Sequence, residues 1–468
     1  MDAINVFMRT RTNMASDTLK AFLQAHPAVE TVELVVTDPS GIARGKWAPV
    51  GALKKAFGEG VNFPLSLHGL DVWGNEVGET GLHISSGDRD GFYRAVPETL
   101  SVIPWGSDSD QEQDQRRAQV LLETWTPDGE RFASCCRQSL RRAVQRLTER
   151  GLTAVAAFEI EFHLVVEDET GNVMPLDGET VAGGENQFMY DLQALSEHSS
   201  LFDTIHRAAS WADLPIDTII KEAAPGQFEI NLNHRADVLR AADDVVMLKR
   251  IVQETARDSG MRATFMPKPF AGQPGNGMHV HISILDKDGT NIFSGDKGTI
   301  RQHHAVAGLL ASMQDATALF VNSINGYRRL APGSYAPTRA NWGDNNRSVA
   351  LRLPAAPDAA KRVEHRVAGA DANPYLLMAA LLQGIIDGLD AGDDPPAALE
   401  GNAYDETTPN RGEALPNAPE TALELFDKSA FVKRALGREM AATFSHLKRA
   451  ELLRFAGDIS PFERATYL

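Results

Sequence analysis

The sequence predicts an α+β protein in two parts: a small N-terminal sheet with a helix or two, and a larger C-terminal part that mixes helices with strands. Three observations predict it. The polar, acidic stretch GSDSDQEQDQRR (106–117) separates two better-patterned regions and reads as a seam. Three segments beyond it carry helical periodicity and helix-end residues. Between those helices run segments with the two-residue alternation of strands. The parts are placed at 15–110 and 111–468, and 468 residues are too many for one ordinary core.

In chain order, TVELVVTD (31–38) reads as a strand, and GIARGKWAP (41–49) continues it after a turn at Pro39 to Gly41. Past the seam, Ser134 to Arg150 is a helix with Ser134 as cap. Leu140, Ala143, Val144 and Leu147 form one face, and Gly151 ends it. A second helix runs from Asp237 to Asp258 and stops by Gly260. A third opens on Asn373-Pro374, a cap followed by a first-turn proline, and continues through YLLMAALLQGIIDGL. It is apolar nearly all round, which predicts burial.

Composition narrows the function. Hydrophobic content of 43% and charged content of 23% are those of an ordinary globular protein. A formal charge of -17 argues against nucleic acid as a partner. The opening MDAINVFMRTRTNMASDTL lacks the apolar run of a signal peptide, and no window approaches 18 apolar residues. The expectation is a cytoplasmic protein with no membrane span. The only cysteines, Cys135 and Cys136, are adjacent. They exclude a disulfide scaffold, fit a reducing compartment and suit packing at a helix start.

The informative feature is what the strands carry on their polar faces. In AVAAFEIEFHLVVED, Glu159, Glu161 and His163 share one face while Phe158, Ile160 and Phe162 share the other. In KEAAPGQFEINLNH, Gln227, Glu229 and Asn231 alternate with Phe228, Ile230 and Leu232, and Glu222 lies just upstream. In GNGMHVHISIL, His279, His281 and Ser283 alternate with Val280, Ile282 and Ile284. In AKRVEHRVAG, Arg362, Glu364 and Arg366 share a face. A single Glu-x-Glu is more often a solvated strand face than a metal site. Four such strands, rich in carboxylate and imidazole and poor in lysine, are coherent with one cavity. There the acids would repel one another unless cations neutralised them. Oxygen ligands with some nitrogen suit Mg2+ or Mn2+ better than structural zinc.

Arg329, Arg347, Arg352, Arg362 and Arg366 crowd one short region. Any one reads as a surface ion pair; beside a two-metal cavity, the set suggests phosphate and carboxylate recognition. Those are the parts of a phosphoryl-transfer site. GIARGK is one residue short of a Walker A loop, and no GxGxxG follows a strand, so a nucleotide would be held by another fold.

Seven segments carry a resemblance: VVTDPSG (35–41), FEIEF (158–162), KEAAPGQFEINL (221–232), NGMHVHIS (276–283), RRLAPGSYAP (328–337), NNRSVALRLP (345–354) and KRVEHRVAGADANPYL (361–376). In order and spacing they resemble the glutamine synthetase superfamily over most of the chain. The resemblance implies an N-terminal β-grasp domain and a C-terminal catalytic domain with a curved antiparallel sheet flanked by helices. It also implies a hexameric ring or dodecamer with active sites between subunits, and ATP, L-glutamate and two or three Mg2+ or Mn2+ ions per site. By position, Glu161, Glu222 and Glu229 match ligands of a first metal, and Glu159, His279 and Glu364 those of a second. Arg347, Arg352 and Arg362 match phosphate-binding arginines, and His281 and Ser283 nucleotide contacts. Gly275, Arg329 and Arg366, with Glu161, match the glutamate-binding set. Asp38 matches an aspartate that crosses the subunit boundary to help deprotonate the amine.

Tyr335 departs from the pattern. Ammonia-using members carry a glutamate at this place in the flap; a phenol is neutral at pH 7 and adds apolar surface. The sequence here resembles the γ-glutamylpolyamine and γ-glutamyl-monoamine synthetase branch, which implies an organic amine as acceptor. Trp73 and Tyr335 are candidate walls of an amine pocket, and Asp71, Glu76 and Glu79 candidate anchors for a distal ammonium. Trp342 is either another wall or core. Tyr404 aligns roughly with a tyrosine modified in some relatives and reads more simply as a loop residue. The rival readings are an ammonia-dependent glutamine synthetase and a catalytically silent structural homologue.

Overall fold

The computed structural model describes residues 17–106, 110–176, 189–409 and 411–468. Its N-terminal sheet has six strands: β1 (Thr31–Thr37), β2 (Ala43–Pro49), β3 (Val61–Pro64), β4 (Asp90–Ala95), β5 (Ser101–Val102) and β6 (Arg117–Trp125). Their order is β2-β1-β6-β4-β3, with β5 also on β6. The pair β1–β6 is parallel, and β2, β4 and β5 join it antiparallel. With the short helix Ala52–Phe57 packing Leu53 and Ala56 inward, this is the expected β-grasp arrangement.

The expected seam is corrected by β6. It lies beyond residue 111 yet forms the middle of the N-terminal sheet. Its Ala118, Val120 and Leu122 pack in one core with Leu34 and Val36 of β1. The polar stretch before it is therefore a loop inside the first domain, which extends through Trp125. The start expected at residue 15 lies outside the described residues.

The second domain is built on a nine-stranded sheet. Its strands are β7 (Thr153–Glu167), β8 (Val173–Pro175), β9 (Ile216–Lys221), β10 (Gln227–Leu232), β11 (Arg262–Thr264), β12 (Met278–Leu285), β14 (Trp342–Asp344), β15 (Leu351–Leu353) and β16 (Val363–His365). A separate two-stranded ribbon pairs β13 (Arg339–Ala340) with β17 (Glu413–Ala414). The order is β14-β15-β16-β12-β7-β10-β9, with β8 and β11 also on β7. Only β14–β15 is parallel among the described pairs of this sheet, a departure from the all-antiparallel expectation. The 15-residue β7 is the spine, paired with β10 along one edge and β12 along the other.

The apolar strand faces lie where alternation puts them. Phe158, Ile160, Phe162, Phe228, Ile230, Val280, Ile282 and Ile284 are all within 1% of full burial. They share one core with helices α1 (Cys136–Thr148), α2 (Val238–Asp258), α3 (Gly295–Phe320) and α4 (Pro374–Ala391). Asp237 caps α2 by accepting the Leu239 and Arg240 N–H groups, and Asn373 caps α4 by accepting those of Tyr375 and Leu376. Ser134 does not cap α1. The N-cap position is Cys135, and the Ser134 hydroxyl lies 2.9 Å from Thr443 Oγ1. Both cysteines are free and buried. Trp342 is core: its indole N–H donates to Pro396 O at 2.7 Å, and its ring meets His303 at 5.1 Å.

The β1–β2 turn joins the two domains. Asn373 Nδ2 donates to Asp38 O at 2.9 Å, Asn322 Nδ2 to Ser40 O at 2.9 Å, and Lys448 Nζ to Ser40 Oγ at 3.2 Å. Lys448 belongs to α5 (Arg438–Ala456). No described helix is long and apolar enough to cross a membrane.

Candidate active site

Strand register assembles the polar residues. Across β7–β10, Glu161 faces Glu229 and Glu159 faces Asn231. Across β7–β12, Glu159 faces His279. Across β12–β16, His281 faces Glu364, and across β15–β16, Arg352 faces Glu364. Glu222 follows β9, its backbone N–H bonded to Gln227 O at 2.9 Å. Residues opposite one another in a ladder point to the same side, so one cavity collects acids from β7, β9–β10 and β16 and imidazoles from β12.

Three groups of possible metal ligands result, each with its ligand atoms within 4.8 Å of one another: Glu161, Glu222 and Glu229; Glu159, Glu229 and His279; Glu159, His281 and Glu364. The first is the triad expected from the sequence. The second expected triad, Glu159, His279 and Glu364, is divided: His279 groups with Glu229, and His281 with Glu364. Register is the cause, because it sets His281 directly opposite Glu364. His281, expected at the nucleotide, therefore belongs to the acidic cluster as well.

Hydrogen bonds hold these groups in place. His279 Nδ1 lies 3.0 Å from Glu159 Oε2, and His281 Nε2 lies 2.7 Å from Glu159 Oε1. The Gly277 N–H donates to Glu161 Oε2 at 2.5 Å. Arg352 Nη1 donates to Glu364 Oε2 at 2.7 Å, and Arg366 Nη1 bonds its other oxygen. Arg352 Nη2 also donates to Asn345 Oδ1 at 2.6 Å, and Arg362 Nε to His281 Nδ1 at 3.1 Å.

The electrostatics split the cavity. Burial, then the charges of Glu161, Glu159 and Glu222, push Glu229 up to about 9. Burial, then Glu161, pushes Glu222 up to about 7. Burial also opposes ionisation of Glu159, but hydrogen bonds from His279 and His281 outweigh it and hold this carboxyl well below the usual range. At Glu364 burial is outweighed by Arg366, then His279 and His281, and the carboxyl falls to about 2. Arg347 beside Glu222 and Arg329 beside Glu161 do not relieve the crowding on the first side, since Glu229 keeps its proton at neutral pH and Glu222 is about half protonated there. A divalent cation among them would relieve it, and the oxygen-rich donors fit Mg2+ or Mn2+.

The glutamate-side residues also converge. Arg329 is buried, donates to Val367 O at 2.9 Å, and packs on the loop before β12. A Cβ at Gly275 would meet Pro267 O at 2.3 Å and Arg329 Cγ at 3.1 Å, and one at Gly277 would meet Arg329 Nη2 at 2.5 Å. Only glycine permits that approach. Gln227 Nε2 donates to Gly275 O at 3.1 Å from below. Ser283 is half-buried on β12, two residues beyond His281. Arg347 is exposed.

Within the single chain, Asp38 and Trp73 do not join the acidic cluster. Asp38 has no exposed surface; one carboxylate oxygen takes the Ile42 N–H at 2.9 Å and the other Arg44 Nε at 2.6 Å. In the single chain this carboxylate is engaged at the domain junction. Trp73 has Arg454 at 4.1 Å over its ring and Phe455 at 5.7 Å, both in α5, and none of the clustered acids as a ring partner. Asp71 is likewise spent locally, accepting the Trp73 and Asn75 N–H groups at 2.9 and 2.8 Å. Glu76 and Glu79 are exposed.

Tyr335 sits at the flap tip, 67% exposed, with φ of 56°. Beside it is Tyr404, whose hydroxyl donates to Ala336 O at 3.1 Å and which lies within electrostatic reach of Arg366, Arg329 and Tyr335. The sequence reading of Tyr404 as a plain loop residue missed this position. Nothing local in GNAYD signals a contact with the segment around residue 336.

The fold and site are those of an ATP-dependent carbon–nitrogen ligase, and the family description "glutamine synthetase, catalytic domain" matches residues 133–467. The chain belongs to the glutamine synthetase family. Among its relatives it is 38% identical to the gamma-glutamylputrescine synthetase PuuA of Escherichia coli (strain K12), over 93% of this chain and 91% of that one. It is 30% identical to a glutamate–isopropylamine ligase of Pseudomonas sp., over 96% and 97%. A solved structure of ligand-free GmaS, 28% identical, matches with a TM-score of 0.80 over 94% of this chain and 96% of that one.

Proposed function

We propose that the protein joins the side-chain carboxyl of L-glutamate to an organic amine, consuming ATP through a γ-glutamyl phosphate. The observation that carries the reading is Tyr335: an exposed phenol occupies the flap tip next to Tyr404, which itself lies within electrostatic reach of Arg329 and Arg366, where an ammonium site would want an acid. The two ligases named above, one for putrescine and one for isopropylamine, favour the same choice.

Each cavity residue has a part in this reaction. Arg329 and Arg366, with the Gly275–Gly277 loop against them, hold the carboxylates of glutamate. Arg347, Arg352 and Arg362 neutralise ATP phosphates and the phosphoryl group in transit. Glu161, Glu222 and Glu229 on one side and Glu159, His279 and Glu364 on the other are the proposed metal ligands, with His281 able to share the second set. Bound Mg2+ or Mn2+ would supply positive charge against which the phosphates are held. Tyr335 closes the mouth and gives the carbon chain of the amine an apolar wall. The reading includes the ring assembly expected from the sequence, which sedimentation measures.

The test is a phosphate-release screen with glutamate, ATP and Mg2+ against ammonium, putrescine, spermidine, alkylamines and aromatic amines. An organic amine should exceed ammonium in kcat/KM by about tenfold or more, a transition-state difference of about 1.4 kcal/mol. Ammonium as the best acceptor would refute the proposal in favour of a glutamine synthetase.

A further inference from the structure

We propose that Tyr404 is a positioning residue: its hydroxyl latches the flap so that Tyr335 covers the amine subsite and water is kept from the activated glutamate. The inference rests on the ligase reading above.

The flap has a cost built into it. Tyr335 adopts φ of 56°, a left-handed backbone that bulky residues rarely take. Such a conformation persists only where its surroundings impose it, and here it is held from both sides. Before it, the Ser334 hydroxyl lies 2.6 Å from Ala331 O and 3.0 Å from Arg329 O. The Ala336 N–H in turn donates to Ser334 Oγ at 3.3 Å. After it, the Ala336 carbonyl takes the Tyr404 hydroxyl at 3.1 Å. Ala336 is buried while Tyr335 projects.

The other end of the latch is fixed to the segment that carries Arg347. Asn402 Oδ1 accepts the Tyr404 N–H at 3.0 Å. The Ala403 N–H donates to Ser348 Oγ at 3.0 Å, and Asn346 Nδ2 donates to Gly401 O at 2.8 Å. Asn346 and Ser348 flank Arg347 in sequence. Tyr404 thus spans the flap, the arginines proposed for glutamate and the arm proposed for phosphate. With the latch gone, Tyr335 can relax to negative φ and swing away. Water then competes with the amine: its oxygen bonds to the acyl carbon, the carbon–oxygen bond to phosphate breaks, and glutamate, inorganic phosphate and a proton leave.

Tyr404→Phe removes one oxygen and keeps the ring. Amide formed and phosphate released are measured together, with the best acceptor from the screen. Wild type should release about one phosphate per amide. In Tyr404→Phe the ratio should rise about threefold and KM for the amine about tenfold, the scale of one lost hydrogen bond, while KM for ATP stays within about twofold. Ser334→Ala, which frees the same turn from its other side, should uncouple likewise. In a Tyr335→Gly background, where the left-handed backbone carries no penalty, Tyr404→Phe should have little further effect. An unchanged phosphate-to-amide ratio in both Tyr404→Phe and Ser334→Ala overturns the latch and leaves the ligase reading standing, as do equal effects of Tyr404→Phe in the two backgrounds. Wild type that releases no phosphate with any acceptor overturns both.

Discussion

Replacing Glu229 with glutamine should make the metal-free protein more stable and the enzyme inactive. Glu229 belongs to two of the three ligand groups and is buried among Glu161, Glu159 and Glu222. Burial and those charges lift its carboxyl from an ordinary 4.5 to about 9. Between these values the folded state keeps a proton that the unfolded state gives up, so metal-free stability falls as pH rises through that window. At pH 7 the accumulated cost is about 3 kcal/mol. Glutamine has nearly the same shape and no proton to retain, so Glu229→Gln should recover much of it, shifting Tm upward by several degrees. Below about pH 4 both states hold the proton and the gain should vanish. Mg2+ should reverse the ranking, because wild type is stabilised by binding while the variant has lost a shared ligand. Thermal melts of both proteins at pH 4, 7 and 8.5, in chelator and in Mg2+, measure all of this. A variant that melts below wild type at pH 7 in chelator, or keeps the full Mg2+ upshift, would refute the reasoning.

Glu159→Ala leaves His279 and His281 without their shared acceptor; phosphate release should drop by about a hundredfold or more with an unchanged circular dichroism spectrum. Asp38→Ala strands Arg44 and leaves a cavity at the domain junction, at a cost of about 3–5 kcal/mol, while the folded fraction keeps its turnover. Lost turnover at an unchanged Tm would restore Asp38 to the reaction. Tyr335→Glu should move the ratio of kcat/KM for ammonium over organic amine upward by about tenfold, as one added charge at a partly exposed site would do. An unaltered acceptor profile would remove the flap from substrate choice.

Local patterns were legible in the sequence, and long-range pairings were not. The faces of β7, β10 and β12 follow from alternation alone, since Phe158, Ile160 and Phe162 must turn inward together. The caps at Asp237 and Asn373 are also local signals. The triad Glu161, Glu222 and Glu229 came from resemblance, and register brings it together. Which imidazole joins Glu364 depends on how β16 aligns with β12, and neither segment encodes that alone. The seam failed because an acidic, polar run marks a loop equally well inside a domain; only the pairing of β6 with β1 tells the two apart. The burial of the Asp38 turn against α4 and α5 was not legible, because a hairpin turn is ordinarily exposed. Tyr404 was missed because its partner at Ala336 is reached only through the folded chain.

The spine strand β7 supplies Glu159 and Glu161, but β16 brings Glu364 from far downstream, and the cavity is incomplete without both. A nascent polypeptide emerging from the ribosome therefore has no complete ligase centre until most of its length has been synthesised and folded. Prematurely ended translation products should be inert, and not wasteful consumers of cellular nucleotide.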